Sequence, residues 1–211
     1  METGLVETRG PFVAAMGRDR PLYAGHAEYL LVAYPNGDLQ DMLLEVQQQF
    51  SAEYGLEHRL DQGQRISRNR PHITVASFRA DEEVEETLIR WIRRVCQERT
   101  VFDLALNNYS GIPSHTIFIR VQDPEPLHEM MRQLGAVDEF IRSSGWPAIE
   151  LPRRPHVSIA GGLTGQVYNK AMPDYSRKSF HGSFRVSELV LLRRRHAFDP
   201  CKTVNVFGLK N

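Results

Sequence analysis

Cysteine is scarce in this sequence. Two in 211 residues, Cys96 inside a helical pattern and Cys201 in the last segment, make neither a disulfide framework nor a zinc-ligand spacing, so a reducing, cytoplasmic setting is expected. Long apolar runs are missing too. The stretch 27–34 is the longest, it contains Glu28, and a membrane span needs roughly 20 such residues, so no membrane partner is expected. Near the start, the acids Glu2 and Glu7 and the short apolar patch 12–16 do not resemble a signal peptide. Charge of one sign is also absent, since 26 basic and 26 acidic side chains cancel. Neither a phosphate-binding loop of the nucleotide-triphosphatase type nor a Gly-x-Ser-x-Gly elbow occurs, which argues against an ATP-dependent ligase. His26, His58, His115, His128, His181 and His196 lack metal-ligand spacing, so no metal and no cofactor is expected.

What is present is ordinary globular composition, 41% hydrophobic and 25% charged, which excludes collagen-like and wholly disordered chains. Residues 1–26, with scattered Gly and Pro and no periodicity, read as an irregular N-terminal arm, and 27–211 as one domain without a linker. A buried strand is expected over 27–34, then a helix with Asp38 as N-cap and Gly55 as C′ residue, whose stripe is Leu39, Met42, Leu43, Val46, Phe50 and Tyr54. A polar loop leads to a strand over 71–78 and a helix opening at Asp81, with Val84, Leu88, Trp91, Ile92 and Val95 inward and Cys96 in the core. A hairpin over 102–121 follows. Pro124 then starts a third helix carrying Leu127, Met130, Met131, Leu134, Val137 and Ile141, and ending at Gly145. Further strands are expected at 155–160, 184–193 and 203–207, while 161–179 shows no clear element. The mixture of hairpins and crossovers makes the fold class α+β with a mainly antiparallel sheet.

Comparison of the chain with itself finds one repeat. Arg70-Pro71-His72-Ile73-Thr74-Val75-Ala76 and Arg154-Pro155-His156-Val157-Ser158-Ile159-Ala160 match at a constant offset of 84, differing only by Ile/Val and Thr/Ser exchanges. In a strand, residues i and i+2 share a face, so His72 goes with Thr74 and His156 with Ser158. Packing gives no reason to keep an imidazole and a hydroxyl together on one face twice. Chemistry does. An imidazole titrates near neutrality, so one ring can accept a proton while its twin delivers one, and each hydroxyl can donate to a non-bridging phosphate oxygen. An internal pseudo-twofold would bring both pairs to one cleft, suited to metal-free cleavage of a phosphodiester.

These paired His-x-Thr/Ser motifs resemble the two-histidine (2H) phosphoesterase superfamily, in particular its bacterial 2′-5′ RNA ligase-like branch, over about residues 27–208. The resemblance implies two pseudo-symmetric lobes of mainly antiparallel sheet with outer helices around a central cleft. It also implies action on 2′,3′-cyclic phosphates or 2′-5′ linkages, with a nucleotide or RNA end as substrate. His72 and His156 then stand as the catalytic pair, and Thr74 and Ser158 as the phosphate-binding hydroxyls. Gly161-Gly162 follows the second motif where several members carry an arginine, and the alternative reading is a nucleotide or RNA-end binding module without turnover.

Around the motifs, Arg70 and Arg154 are candidates for contact with substrate. Phe78, Tyr109, Phe118 and Tyr168 are candidate base platforms, of which Phe78 is preferred. Residues 151–211 carry eleven basic against three acidic side chains, and Arg193-Arg194-Arg195 is expected either to rim the cleft or to form a solvated turn. One chain holds both motifs, so a monomer is expected.

Overall fold

The computed structural model describes residues 25–54, 70–196 and 199–211. The proposed arm up to residue 24, Gly55 and His58 lie outside them. In chain order the elements are β1 His26–Ala33, α1 Gly37–Glu53, β2 Ile73–Asp81, α2 Glu85–Gln97, β3 Phe102–Ile112, β4 Thr116–Val121, α3 Glu125–Arg132 and α4 Gly135–Ser143. They continue with β5 His156–Ala160, α5 Gly165–Tyr175, β6 His181–Val186, β7 Glu188–Arg194 and β8 Lys202–Gly208.

The strands form one sheet in the order β6-β3-β4-β5-β2-β1-β7-β8, and every neighbouring pair is antiparallel. At the middle, β2 and β5 join through the single pairing of Ile73 with Val157. These two residues occupy the same place in the repeat, so the pseudo-twofold axis runs between them and divides the sheet into two four-stranded lobes. Only Ser187 separates β6 from β7, although they stand in different lobes. The sheet must therefore curl, and its ends are tied together by Leu209 N–H donating to Ser187 O at 2.8 Å and Val101 N–H to Lys210 O at 2.8 Å.

The five α-helices among the described residues pack on one face, where Leu43, Phe50, Leu88, Ile92, Leu127, Met130, Ile141 and Ala171 meet the inward residues of the strands in a continuous core. The helix α5 reaches β3 closely because Gly111 has no side chain; a Cβ there would stand 2.3 Å from the Tyr168 hydroxyl oxygen. On the opposite face lies a small apolar cluster of Leu30, Val32, Val190 and Leu192, and no helix among the described residues packs there.

Several sequence expectations change. Met42 and Trp91 are 43% and 36% exposed, because each stripe is wider than the contact it makes. Asn36, not Asp38, holds the N-cap position of α1. The helix expected after Pro124 is two, broken at 133–134, although its six apolar residues are buried as expected. The strand expected over 184–193 is also two. Core residues are Phe184 and Val186 before Ser187 but Leu189 and Leu191 after it, so the alternation changes phase where the chain crosses lobes. The undefined stretch contains α5, capped by the Thr164 hydroxyl, which accepts from Val167 N–H at 3.3 Å, and carrying Pro173 near its C-terminal end.

Candidate active site

Burial of Ile73 and Val157 dictates the rest of the site. With those side chains turned into the helical layer, alternation sends His72, Thr74, His156 and Ser158 to the other face, where all four are half-buried. Continuing the antiparallel register by one residue in each direction sets His72 beside Ser158 and Thr74 beside His156. Two imidazoles and two hydroxyls thus occupy one small area at the axis.

Backbone irregularities repeat with the same symmetry. In the β1–β2 pairing, Val75 is the extra residue between the partners of Leu31 and Val32; in β4–β5 it is Ile159, between those of Ile117 and Phe118. Val75 and Ile159 are again equivalent, and a bulge of this kind bends the strand just beyond each His-x-hydroxyl pair. Within β5 the Ser158 carbonyl accepts from the Gln47 side-chain amide at 2.9 Å, so α1 braces the second motif from behind.

The Arg-Pro-His order has a backbone role. The ring nitrogen Nδ1 of His72 donates to the carbonyl of Arg70 at 2.9 Å, and that of His156 to the carbonyl of Arg154 at 2.7 Å. A carbonyl only accepts, so Nδ1 carries the proton in both neutral rings and Nε2 presents its lone pair. Buried Pro71 and Pro155, each with a restricted φ, stand between the carbonyl and the ring it orients. Burial lowers the pKa of both histidines from the usual value. His72 is lowered further by the charge of a protonated His156, while the bonds to the arginine carbonyls act in the opposite direction.

Around this core the halves differ. Tyr34 meets His72 edge-on at 6.0 Å between ring centres, and the Arg70 guanidinium lies 4.5 Å over the Tyr34 ring while its Nε donates to Gln40 Oε1 at 2.9 Å. Phe118 lies 4.4 Å from the ring of His156. Arg154 is exposed and its side chain has no partner among the described residues.

Phe78 is not beside these groups. The bulge at Val75 shifts the alternation, so Phe78 is 6% exposed on the helical face and stacks on Tyr29 at 5.4 Å, where no base can reach it. Tyr109 also belongs to the core, against Tyr175 at 5.1 Å. Of the four candidate platforms it is Phe118 that shares the histidine face, through its pairing with Ser158. The arginine triplet is consumed in ion pairs: Arg193 with Glu82 and Glu85, Arg194 with Glu28, and Arg195 with Glu82. Sequence reasoning missed Tyr34, Gln40 and Gln47. Tyr34 reads as the end of an apolar run, and nothing local separates a buried glutamine from a surface one. Among the described residues, no three His, Cys, Asp or Glu side chains gather as metal ligands, and no helix is long and apolar enough to cross a membrane.

Comparison with known proteins agrees with this fold. A protein of Oceanobacillus iheyensis named "Putative phosphoesterase" is 21% identical over 168 residues, covering 78% of this chain and 88% of that one. The crystal structure of E. coli LigT complexed with 3′-AMP matches with a TM-score of 0.58 at 15% identity, over 89% of this chain and all of LigT. The crystal structure of TT0787 of Thermus thermophilus matches with a TM-score of 0.60 at 16% identity, over 86% of this chain and 97% of that one. These likenesses show the same curled antiparallel fold. The family model of the 2′-5′ RNA ligase superfamily matches residues 44–197, which include both histidine motifs, and the chain belongs to that superfamily.

Proposed function

We propose that the protein is a metal-independent phosphodiesterase acting on 2′,3′-cyclic phosphates or 2′-5′ linkages of RNA or nucleotides, with His72 and His156 as its acid/base pair. The observation that carries this reading is the matched presentation of two Nε2 atoms on one face, each ring held by a carbonyl two residues upstream. For a cyclic phosphate, the neutral ring takes a proton from water as its oxygen attacks phosphorus. The protonated ring gives its proton to the ribose oxygen that leaves. The Thr74 and Ser158 hydroxyls donate to the non-bridging oxygens, where negative charge gathers. By microscopic reversibility the ring that acts as base in one direction acts as acid in the other, so the two exchange roles in the reverse reaction. LigT, solved with 3′-AMP, with ATP and with NADP+, shows that the shared fold accepts nucleotides in that protein.

Both motifs lie in one chain, so a monomer suffices. Arg70 is clamped on Tyr34 and Arg154 is unoccupied among the described residues, which makes Arg154 the better candidate for a substrate contact. The test is hydrolysis of a 2′,3′-cyclic nucleotide panel and a 2′-5′ dinucleotide in excess chelator, comparing the wild type with the His72→Ala, His156→Ala double variant. Turnover that survives chelator and disappears in the variant is expected. Binding of nucleotide without product would instead identify a nucleotide or RNA-end binding module.

A further inference from the structure

We propose that helix α1 positions the catalytic pair, with Gln40 and Gln47 as positioning residues that each hold one histidine motif and together fix the distance between the two rings. The proposal rests on the phosphodiesterase reading of the site and names the element that sets its geometry. Its basis is where polar side chains are buried. Of the four buried among the described residues, Gln40, Gln47 and Ser51 all stand on α1. Gln40 and Gln47 are two turns apart on one face of the helix, a rise of about 10.5 Å.

Each glutamine reaches a different motif. Gln47 donates its amide N–H to the Ser158 carbonyl at 2.9 Å, at a place where the sheet gives little support, since β2 and β5 join only through Ile73 and Val157. Gln40 works through Arg70. Its Oε1 accepts from Arg70 Nε at 2.9 Å, while the guanidinium also donates to the Pro35 carbonyl at 3.5 Å and lies 4.5 Å over the Tyr34 ring. With its side chain pinned on three sides, Arg70 has a fixed backbone, and its carbonyl accepts from His72 Nδ1. The antiparallel register that sets His72 beside Ser158 also brings Arg70 and Ser158 toward the same end of the two strands, within reach of one helix.

Packing alone does not explain these amides. Leucine or methionine would fill either position, whereas Gln40 buries an Nε2 that has no hydrogen-bond partner among the described residues. A buried donor left unmade is a cost, and what it retains here is a neutral acceptor for Arg70. The second motif has no such clamp at its own arginine. Arg154 is exposed, and the hold on that strand comes at the Ser158 carbonyl instead. One backbone pairing is a weak hinge and a helix is a stiff rod, so α1 sets the separation that both proton transfers need.

The experiment measures kcat and KM on a 2′,3′-cyclic nucleotide for Gln40→Leu, Gln47→Leu, the double variant and Gln40→Glu, each well below its unfolding temperature. Each leucine variant is expected to lower kcat by about 10- to 100-fold, the cost of a misplacement near 1 Å, with KM changed by no more than about twofold. Gln40→Glu keeps an acceptor for Arg70 and should stay within about threefold of wild type in kcat. The double variant should lose little more than the worse single one, because a spacer released at one end no longer acts at the other. Unchanged kcat in either leucine variant, losses that multiply in the double variant, or a Gln40→Glu variant no better than Gln40→Leu overturns the proposal. A second readout needs no turnover. In an NMR titration of the imidazoles, His156→Ala should raise the His72 midpoint, because the charge of one ring is felt at the other. Either leucine substitution should at least halve that difference. If no cyclic nucleotide is turned over, the phosphodiesterase reading fails by itself and the titration decides: a reduced difference upholds α1 as the spacer, and an unchanged one removes it.

Discussion

His72 and His156 stand in halves that share their innermost chemistry and little else. In each half the ring donates Nδ1 to a carbonyl two residues earlier, a hydroxyl follows two residues later, and a bulge follows the hydroxyl. Beyond that shell the first half offers Tyr34 with Arg70 folded over it, and the second offers Phe118 and, beside His156, Arg120. The difference teaches that duplicated backbone geometry is enough to make a symmetric acid/base pair, whereas recognition of the rest of the ligand need not be symmetric. Interactions made by the backbone tolerate sequence change; those made by side chains do not.

The comparison breaks most sharply if the two histidines are unequal. Each of His72→Ala and His156→Ala should lower kcat by about 10²- to 10⁴-fold, the range of general acid/base catalysis, and by similar factors. Steady-state kinetics on a cyclic nucleotide checks this, and a variant that keeps full activity would separate the halves. Next come the hydroxyls. Thr74→Val and Ser158→Ala should each cost about 10²-fold in kcat, the lower end of what removal of one transition-state hydrogen-bond donor costs. A loss confined to one of them would show that the phosphate leans on one half.

A smaller effect tests the bracing from α1, which reaches the second motif. Gln47→Leu leaves the Ser158 carbonyl without its side-chain donor and should lower stability by about 1–3 kcal/mol in urea unfolding, with an accompanying fall in kcat. The pH profile of kcat/KM sharpens the comparison further. The reaction needs one ring neutral and the other protonated, and burial lowers both rings below the ordinary value near 6.5. The bell in the free enzyme should therefore peak on the acid side of about 6.5, losing the base on one limb and the acid on the other. The linkage to folding has a definite sign as well. The unfolded chain binds protons at these two sites before the folded one, so their contribution to stability is intact above about pH 6.5 and declines as the pH falls through the folded values. The smallest effect belongs to Arg195→Ala, which removes an exposed ion pair with Glu82 and should leave turnover within about twofold of wild type.

How much of this was legible can be seen residue by residue. His72, Thr74, His156 and Ser158 were readable because an offset of 84 repeats in the sequence itself, and the α+β class followed from strands and helices with clear periods. The pair of helices after Pro124 was readable as buried faces but not as two helices, because apolar spacing continues through the break at 133–134. Phe78 was misplaced because a bulge is invisible to a period-two pattern until the partner strand is known. The arginine triplet looked like a cluster of free charge because its partners, Glu28, Glu82 and Glu85, lie more than 100 residues away in the chain.

The sequence by itself determined which residues pair a ring with a hydroxyl, since side-chain alternation is a local property of any extended chain. It also determined that this happens twice. Tertiary structure decided that the two motifs meet, by joining Ile73 to Val157 across the axis, and that the arginine carbonyls rather than their guanidiniums hold the rings. It alone placed Arg120 beside His156. Cross-strand neighbours are set by hydrogen-bond register between segments far apart in the chain, and no local pattern encodes that register.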